Sequence, residues 1–157
     1  MKSWLKLLIA LIIPQLVAAS GAYFTVTGNG SWYQALEKPS WNPPNGVFGP
    51  VWTTLYVLMG IALYLVWKSN APDKHKRWAI SFWGIQLFLN LLWSYLFFGQ
   101  EQILGALLEM IILWLFILFT IFAFARINKL AAWLLVPYIS WVSFAAILNY
   151  TIWDLNR

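Results

Sequence analysis

Apolar residues in this chain come in five long runs, separated by short polar breaks and one long proline-rich connection. The runs cover about Leu5–Val26, Val47–Trp67, Trp78–Phe98, Ile103–Ala125 and Leu130–Trp153. Each is close to the roughly 20 residues needed to cross the hydrocarbon core of a bilayer. In lipid the backbone can satisfy itself only as a helix or a closed barrel. No strand-like alternation runs through these segments, so the barrel is set aside. The pattern predicts an all-α integral membrane protein: a bundle of five transmembrane helices forming one domain over residues 1–157.

The first run has a second reading. Lys2 and Lys6, an apolar stretch and then Val17-Ala18-Ala19 resemble a signal peptide with its cleavage site. Apolar character continues through Tyr23, Phe24 and Val26, which favours a retained helix. Pro14 is expected to kink it. Ala18 to Ala22 form a small-residue patch that lets another helix come close.

Thr27 to Asn45 is the one long connection, and long connections usually carry function or disorder. Trp32, Tyr33, Leu36 and Trp41 make it too apolar to wander in water, so it should fold back over the bundle. Prolines 39, 43 and 44 stiffen it into extended backbone. Asn45 reads as an N-cap, with the next helix starting near Gly46 or Val47 and Pro50 among its first positions. Two readings of this stretch stand: a rigid lid over a pocket, or an anchor of tryptophans at the headgroup level. The other links, Lys68–Arg77, Gly99–Gln102 and Arg126–Lys129, are short and make neighbouring spans antiparallel.

Composition agrees with the membrane reading. The chain is 62% hydrophobic and 10% charged, with a mean hydropathy of +0.70. A soluble domain has about a quarter of its residues charged. There is no cysteine, hence no disulfide and no thiolate metal site. His75, the single histidine, has no second ligand near it in sequence, so no metal site is expected. The net charge of +5 does not indicate nucleic-acid binding, because the basic residues sit beside the spans. Of the ten Lys and Arg, eight fall on one side of a five-span layout and two, Lys38 and Arg157, on the other. The positive-inside rule therefore predicts a cytoplasmic N-terminus, with the long loop and the C-terminus outside.

Polar and aromatic residues inside the spans mark where chemistry can sit. Gln86, Asn90, Trp93 and Phe97 fall on one stripe of the third span, with Ser94 beside it. Asn90 reads either as interhelical glue or as a hydrogen-bonding group at a pocket floor. Tyr138, Trp141, Ala145 and Leu148 form a stripe on the fifth span, with Phe144 alongside, and Pro137 can bend that helix. Phe48, Trp52 and Tyr56 recur every four residues on the second. An aromatic stripe is commonly plain core, but three such faces under an aromatic loop suit a cavity for a flat, apolar ligand. Glu109 is the one acid well inside a span and reads as a proton or ligand site, or as a group that snorkels or pairs at the interface. No Ser–His pairing and no paired carboxylates occur within the spans, which argues against hydrolysis by a triad or a bound metal.

One resemblance covers nearly the whole chain. Its residues are Trp32-Tyr33, then Leu36-x-Lys38-Pro39-x-Trp41-x-Pro43-Pro44, Phe48-x-Pro50-Val51-Trp52 and Tyr56. It continues with Gln86-x-x-x-Asn90-x-x-Trp93-Ser94-x-x-Phe97-Phe98, and with Pro137-Tyr138-x-x-Trp141-x-x-Phe144-Ala145-x-x-Leu148-Asn149. The sequence resembles the TspO/MBR family, the translocator proteins or peripheral-type benzodiazepine receptors.

The resemblance implies a bacterial member in the cell membrane, commonly a homodimer. It implies binding of porphyrins, and of benzodiazepine and isoquinoline-type aromatics, in a pocket inside the bundle beneath the first long loop. The implied ligand-binding set is Trp32, Tyr33, Pro43, Phe48, Trp52, Tyr56, Asn90, Trp93, Tyr138, Trp141, Phe144, Ala145 and Leu148. Some bacterial members degrade protoporphyrin IX in light, and the implied catalytic residues are Trp52 and Trp141. No cofactor is required, the porphyrin itself being ligand or substrate. Sterol binding is not expected: Leu148-x-Tyr150 is followed by Arg157 after a gap one residue too long for the cholesterol pattern. The rival functions are a transporter of such ligands and a stress-signalling membrane protein.

Overall fold

The structure, a computed structural model, describes residues 1–157. It contains α1 (Ser3–Phe24), α2 (Trp32–Ala35), α3 (Asn45–Trp67), α4 (Asp73–Ser94), a π-helical turn (Tyr95–Gly99), α5 (Ile103–Ala125), α6 (Lys129–Leu134) and α7 (Val136–Leu155). With the π turn extending α4, and α6 and α7 in series, these make five helices long and apolar enough to cross a membrane. The protein is a five-span helical bundle. Its outer surface is apolar: Phe88, Phe122, Trp133 and Ile147 are all more than half exposed. In water such a surface would aggregate; around a bundle of this length it is a lipid-facing coat.

The first run is one continuous helix packed in the bundle. It lies against α3 in close backbone contact at Gly60. A Cβ built on Gly60 would stand 2.6 Å from the Ala10 carbonyl oxygen and 3.1 Å from Leu11 Cα. Contact this tight needs a residue without a side chain. The Ala18–Ala22 patch lies further along α1, where Gly21 faces Ser94 on α4.

Helix ends depart from expectation in three places. Asn45 is the first residue of α3 and not its cap; Pro44 holds the cap position, and the Asn45 amide donates to the Thr27 carbonyl at 3.4 Å. Pro50 is therefore six residues into the helix, beyond its first turn. Second, α4 begins at Asp73, so Lys74, Lys76 and Arg77 belong to its first two turns and not to a loop. Pro72 caps it and Asp73 complements the helix dipole. Third, the last span is broken. Asn128 caps α6 by accepting from the Ala131 N–H at 3.1 Å, and α6 ends at Leu134 with Leu135 as its C-cap, just before Pro137 removes an N–H from the ladder.

Side-chain hydrogen bonds tie the spans together. Trp83 Nε1 donates to the Met59 carbonyl at 3.2 Å, joining α4 to α3. Trp114 Nε1 donates to Ser143 Oγ at 2.8 Å, joining α5 to α7.

Candidate functional site

The small residues of α1 leave room that larger ones would fill. Between α1, α3, α4 and α7, beneath the long loop, lies a cavity of about 590 Å³. The α1 wall is Gln15, Ala18, Ala19, Gly21 and Ala22, with Thr25 at the helix's C-cap. The α3 wall is Phe48, Gly49, Trp52, Thr53 and Tyr56. Asn90, Trp93 and Ser94 come from α4, Phe97 and Phe98 from the π turn, and Met110 from α5. Trp141, Ala145, Leu148, Asn149 and Ile152 close the side of α7, and Tyr33 comes down from the loop.

Nine of the thirteen residues expected to bind ligand thus line one cavity: Tyr33, Phe48, Trp52, Tyr56, Asn90, Trp93, Trp141, Ala145 and Leu148. Trp32, Pro43, Tyr138 and Phe144 do not. Trp32, Tyr138 and Phe144 stand behind the wall. Trp32 packs edge-on against Phe97 at 5.5 Å. Phe144 lies between Trp41 of the loop and Trp141, with ring centroids 5.8 and 5.3 Å away. Pro43 is half-buried in the loop. Tyr138 is fully buried and serves the network described next.

Asn90 is at the centre of that network. Tyr56 Oη donates to Asn90 Oδ1 at 2.8 Å, Asn90 Nδ2 donates to Tyr138 Oη at 2.8 Å, and Tyr138 Oη donates to Gln86 Oε1 at 2.7 Å. One amide thereby links α3, α4 and α7. An amide has two N–H groups and two lone pairs, so Asn90 retains one of each beyond these bonds. The glue role and the wall position coincide in one side chain. Trp93 is fixed similarly: its Nε1 donates to Asn149 Oδ1 at 3.0 Å, and Asn149 Nδ2 donates to the Ile103 carbonyl at 3.1 Å. It stacks on Phe97 at 5.1 Å.

Three buried polar groups have no protein partner: the amide oxygen of Asn42 in the loop, the indole Nε1 of Trp141 and both carboxyl oxygens of Glu109. Trp141 is a cavity wall, and its buried N–H donates to no protein acceptor. Glu109 neither snorkels nor pairs; it is 7% exposed and lies off the cavity wall.

The loop is a packed cover. Its short helix α2 is capped by Ser31, whose Oγ accepts from the Gln34 N–H at 3.2 Å. Lys38 Nζ donates to the Tyr33 and Leu36 carbonyls at 2.7 and 3.0 Å and lies 4.6 Å from the Tyr33 ring centroid. Tyr33 is buried with Phe97, Ala106, Leu148 and Ile152 under the loop. That burial raises its phenol pKa, so it stays a neutral donor at physiological pH. The π turn had no sequence signal. It is closed by the Gln100 N–H on the Tyr95 carbonyl at 2.8 Å, and it sets the adjacent Phe97 and Phe98 both on the cavity wall. Such turns are frequent at functional sites.

The profile of the TspO/MBR family matches residues 10–154. The chain belongs to the TspO/MBR family. It is 46% identical over 144 residues to the tryptophan-rich protein TspO of Chlorobaculum tepidum, covering 89% of each chain. It is 37% identical over 139 residues to protein CrtK of Rhodobacter capsulatus, covering 88% of this chain and 87% of that one. It is 39% identical over 156 residues to the human translocator protein, covering 98% of this chain and 92% of that one. Across this TspO/MBR chain the matched span takes in all five helices of the bundle and every wall of the cavity.

Proposed function

We propose that this TspO/MBR protein is a membrane receptor that holds porphyrins, and benzodiazepine or isoquinoline-type aromatics, in the cavity beneath its long loop. The observation that carries the reading is the cavity itself: about 590 Å³, with aromatic residues of α3, α4 and α7 as its walls. That volume is within the roughly 300–1,000 Å³ of small-molecule sites. Polar groups on the wall include the Gln15 and Asn45 amides, the remaining valences of Asn90, the hydroxyls of Ser94 and Thr53, and the Trp141 indole. A flat, mainly apolar ligand with one or two polar substituents suits such a set.

For the bound porphyrin we propose light-dependent oxidative breakdown. No metal-ligating cluster of His, Cys, Asp or Glu lies at the cavity, so the chemistry would run through the pigment's excited state. In this scheme Trp52 and Trp141, which line the cavity from α3 and α7, give an electron to the excited porphyrin, which passes it to dissolved dioxygen. The indole radical takes an electron back from the porphyrin, and the porphyrin cation combines with the superoxide, so dioxygen is the net oxidant and the indole is restored. In the cell the charge asymmetry would set the N-terminus in the cytoplasm and the cover outside. The test is a titration of purified protein with protoporphyrin IX in the dark, followed by illumination. Saturable binding with a protein-dependent product spectrum supports both steps. Saturable binding without faster pigment loss than a detergent blank removes the photochemistry and leaves the receptor.

A further inference from the structure

At the opposite end of the bundle from the cavity is a second concavity of about 360 Å³, at the seam of three helices. It is lined by Lys6 of α1, Trp67 of α3, and Asp73, Lys76, Arg77 and Ile80 of α4. Three cations and one acid converge on it. Lys6 Nζ lies 5.8 Å from the centroid of the Trp67 ring, and Lys76 Nζ donates to the Trp67 carbonyl at 3.2 Å. Arg77 makes no hydrogen bond, and Asp73 pairs with none of the three; the one ion pair in the structure is Arg157 with Asp154. The first turn of α4 also lies here, and its dipole adds positive potential.

Three cations against one acid leave the hollow with a net positive charge, which a bound anion offsets. The hollow is amphipathic as well. Trp67 and Ile80 form apolar walls, and Trp4, Leu8 and Trp78 near the same ends of α1 and α4 are exposed apolar residues. The polar cup therefore lies where headgroups meet hydrocarbon. An unpaired guanidinium offers the planar fork that fits phosphate oxygens, and a lysine beside it adds a point charge.

We propose that this seam is a binding site for a phosphate-bearing anion, held by Lys6, Lys76 and Arg77 at the basic end of the bundle. The shared chemistry is the phosphate. An anionic phospholipid delivers it with acyl chains that follow the apolar walls; free phosphate delivers it alone. The site is separate from the aromatic cavity and does not rest on the function proposed for it.

The experiment uses the full chain in detergent with equal amounts of phosphatidylglycerol and phosphatidylcholine, and reads bound lipid by native mass spectrometry. Wild-type protein should retain phosphatidylglycerol over phosphatidylcholine by about tenfold, the scale expected when two or more basic residues face one headgroup. Lys6→Gln with Arg77→Gln should bring that ratio close to one. Lys76 is left in place because it caps α3. The control, Arg126→Gln with Lys129→Gln, removes the same charge at the same end and should keep the preference. Millimolar inorganic phosphate distinguishes the sources: lipid stripped from the protein means the phosphate alone is read, and lipid retained means the acyl chains contribute. No preference in the wild type overturns the proposal, and so does an equal loss in the control. If the double variant does not extract as folded protein, the single variants Lys6→Gln and Arg77→Gln replace it, and an unchanged preference in both overturns the proposal.

Discussion

Asn156 clasps the backbone of Glu37 across 119 residues of sequence. Its Oδ1 accepts from the Glu37 N–H at 3.0 Å and its Nδ2 donates to the Glu37 carbonyl at 2.8 Å. The side-chain amide imitates a peptide group, so the pair closes as two ladder hydrogen bonds would. It fastens the long loop to the end of α7, and with it Tyr33 over the cavity.

That clasp makes the cover testable at a residue outside the cavity wall. Asn156→Ala removes both hydrogen bonds, each worth about 1 kcal/mol. Ligand should then dissociate faster, with a smaller change in association, since affinity differences in one site fall mainly on the off-rate. Replacing Pro43 and Pro44 with Gly should act in the same direction by raising the ordering cost of the loop. Stopped-flow dissociation of a bound porphyrin reads both. Unchanged dissociation in both variants would leave the loop as an interfacial anchor only.

The Tyr56–Asn90–Tyr138 chain predicts coupling through the bundle. Asn90→Ala takes an acceptor from Tyr56 and a donor from Tyr138 in one step. A double-mutant cycle of Asn90→Ala with Tyr138→Phe should give a coupling of about 0.6 kcal/mol, the usual size for interhelical bonds in membranes. Thermal unfolding in detergent supplies the four stabilities. A coupling of zero would mean that the two groups act independently.

Gly60 is the position least able to accept a side chain. Gly60→Ala places a methyl 2.6 Å from the Ala10 carbonyl, and a backbone atom cannot rotate away. The helices must separate, at a cost of about 1–3 kcal/mol, the usual range for overpacking. Melting temperature should fall clearly. Gly84→Ala is the control, because a Cβ there meets nothing within 4 Å, and it should leave the melting temperature nearly unchanged.

How much of this was legible in the sequence depends on what sets each feature. The five spans were legible because bilayer thickness fixes the length of an apolar run. The start of α4 was not, because the helix continues past the hydrocarbon into the basic stretch Lys74–Arg77. The walls at Trp52, Trp93 and Trp141 followed from helical spacing together with the family resemblance. Trp32, Tyr138 and Phe144 shared those motifs but support the wall from behind, and Pro43 lies in the loop off the wall, distinctions spacing alone does not carry. The α1 wall was visible only as a small-residue patch suited to helix contact. Part of that patch, Ala18 to Ala22 without Ser20, instead leaves open space. The π turn, the four-residue α2 and the Asn156 clasp arise from tertiary contact and have no local period to detect.

The tryptophans give the sharpest test of the proposed photochemistry. Trp52 and Trp141 lie on different helices and both face the cavity. Trp52 is braced by Tyr56 at 5.7 Å, and Trp141 by Phe48 and Phe144 at 5.9 and 5.3 Å. Replacing either with Phe keeps a ring in place and removes the easily oxidised indole. Each variant should therefore lose light-dependent porphyrin breakdown far more than affinity. The two should differ in one respect. Trp141 Nε1 is buried without a protein partner, so Trp141→Phe also removes a donor available to a carboxylate or carbonyl of the ligand. Its affinity should fall by roughly tenfold, on the scale of one hydrogen bond to a charged acceptor. Trp52→Phe should bind within roughly a factor of three of wild type, because contact area is spread over many residues. Trp4→Phe is the control: it is 62% exposed at the basic end and should change neither quantity. Paired dark titrations and illumination time courses on the four proteins separate the outcomes. If turnover falls only in proportion to occupancy, the indoles pack against the pigment and do not react with it.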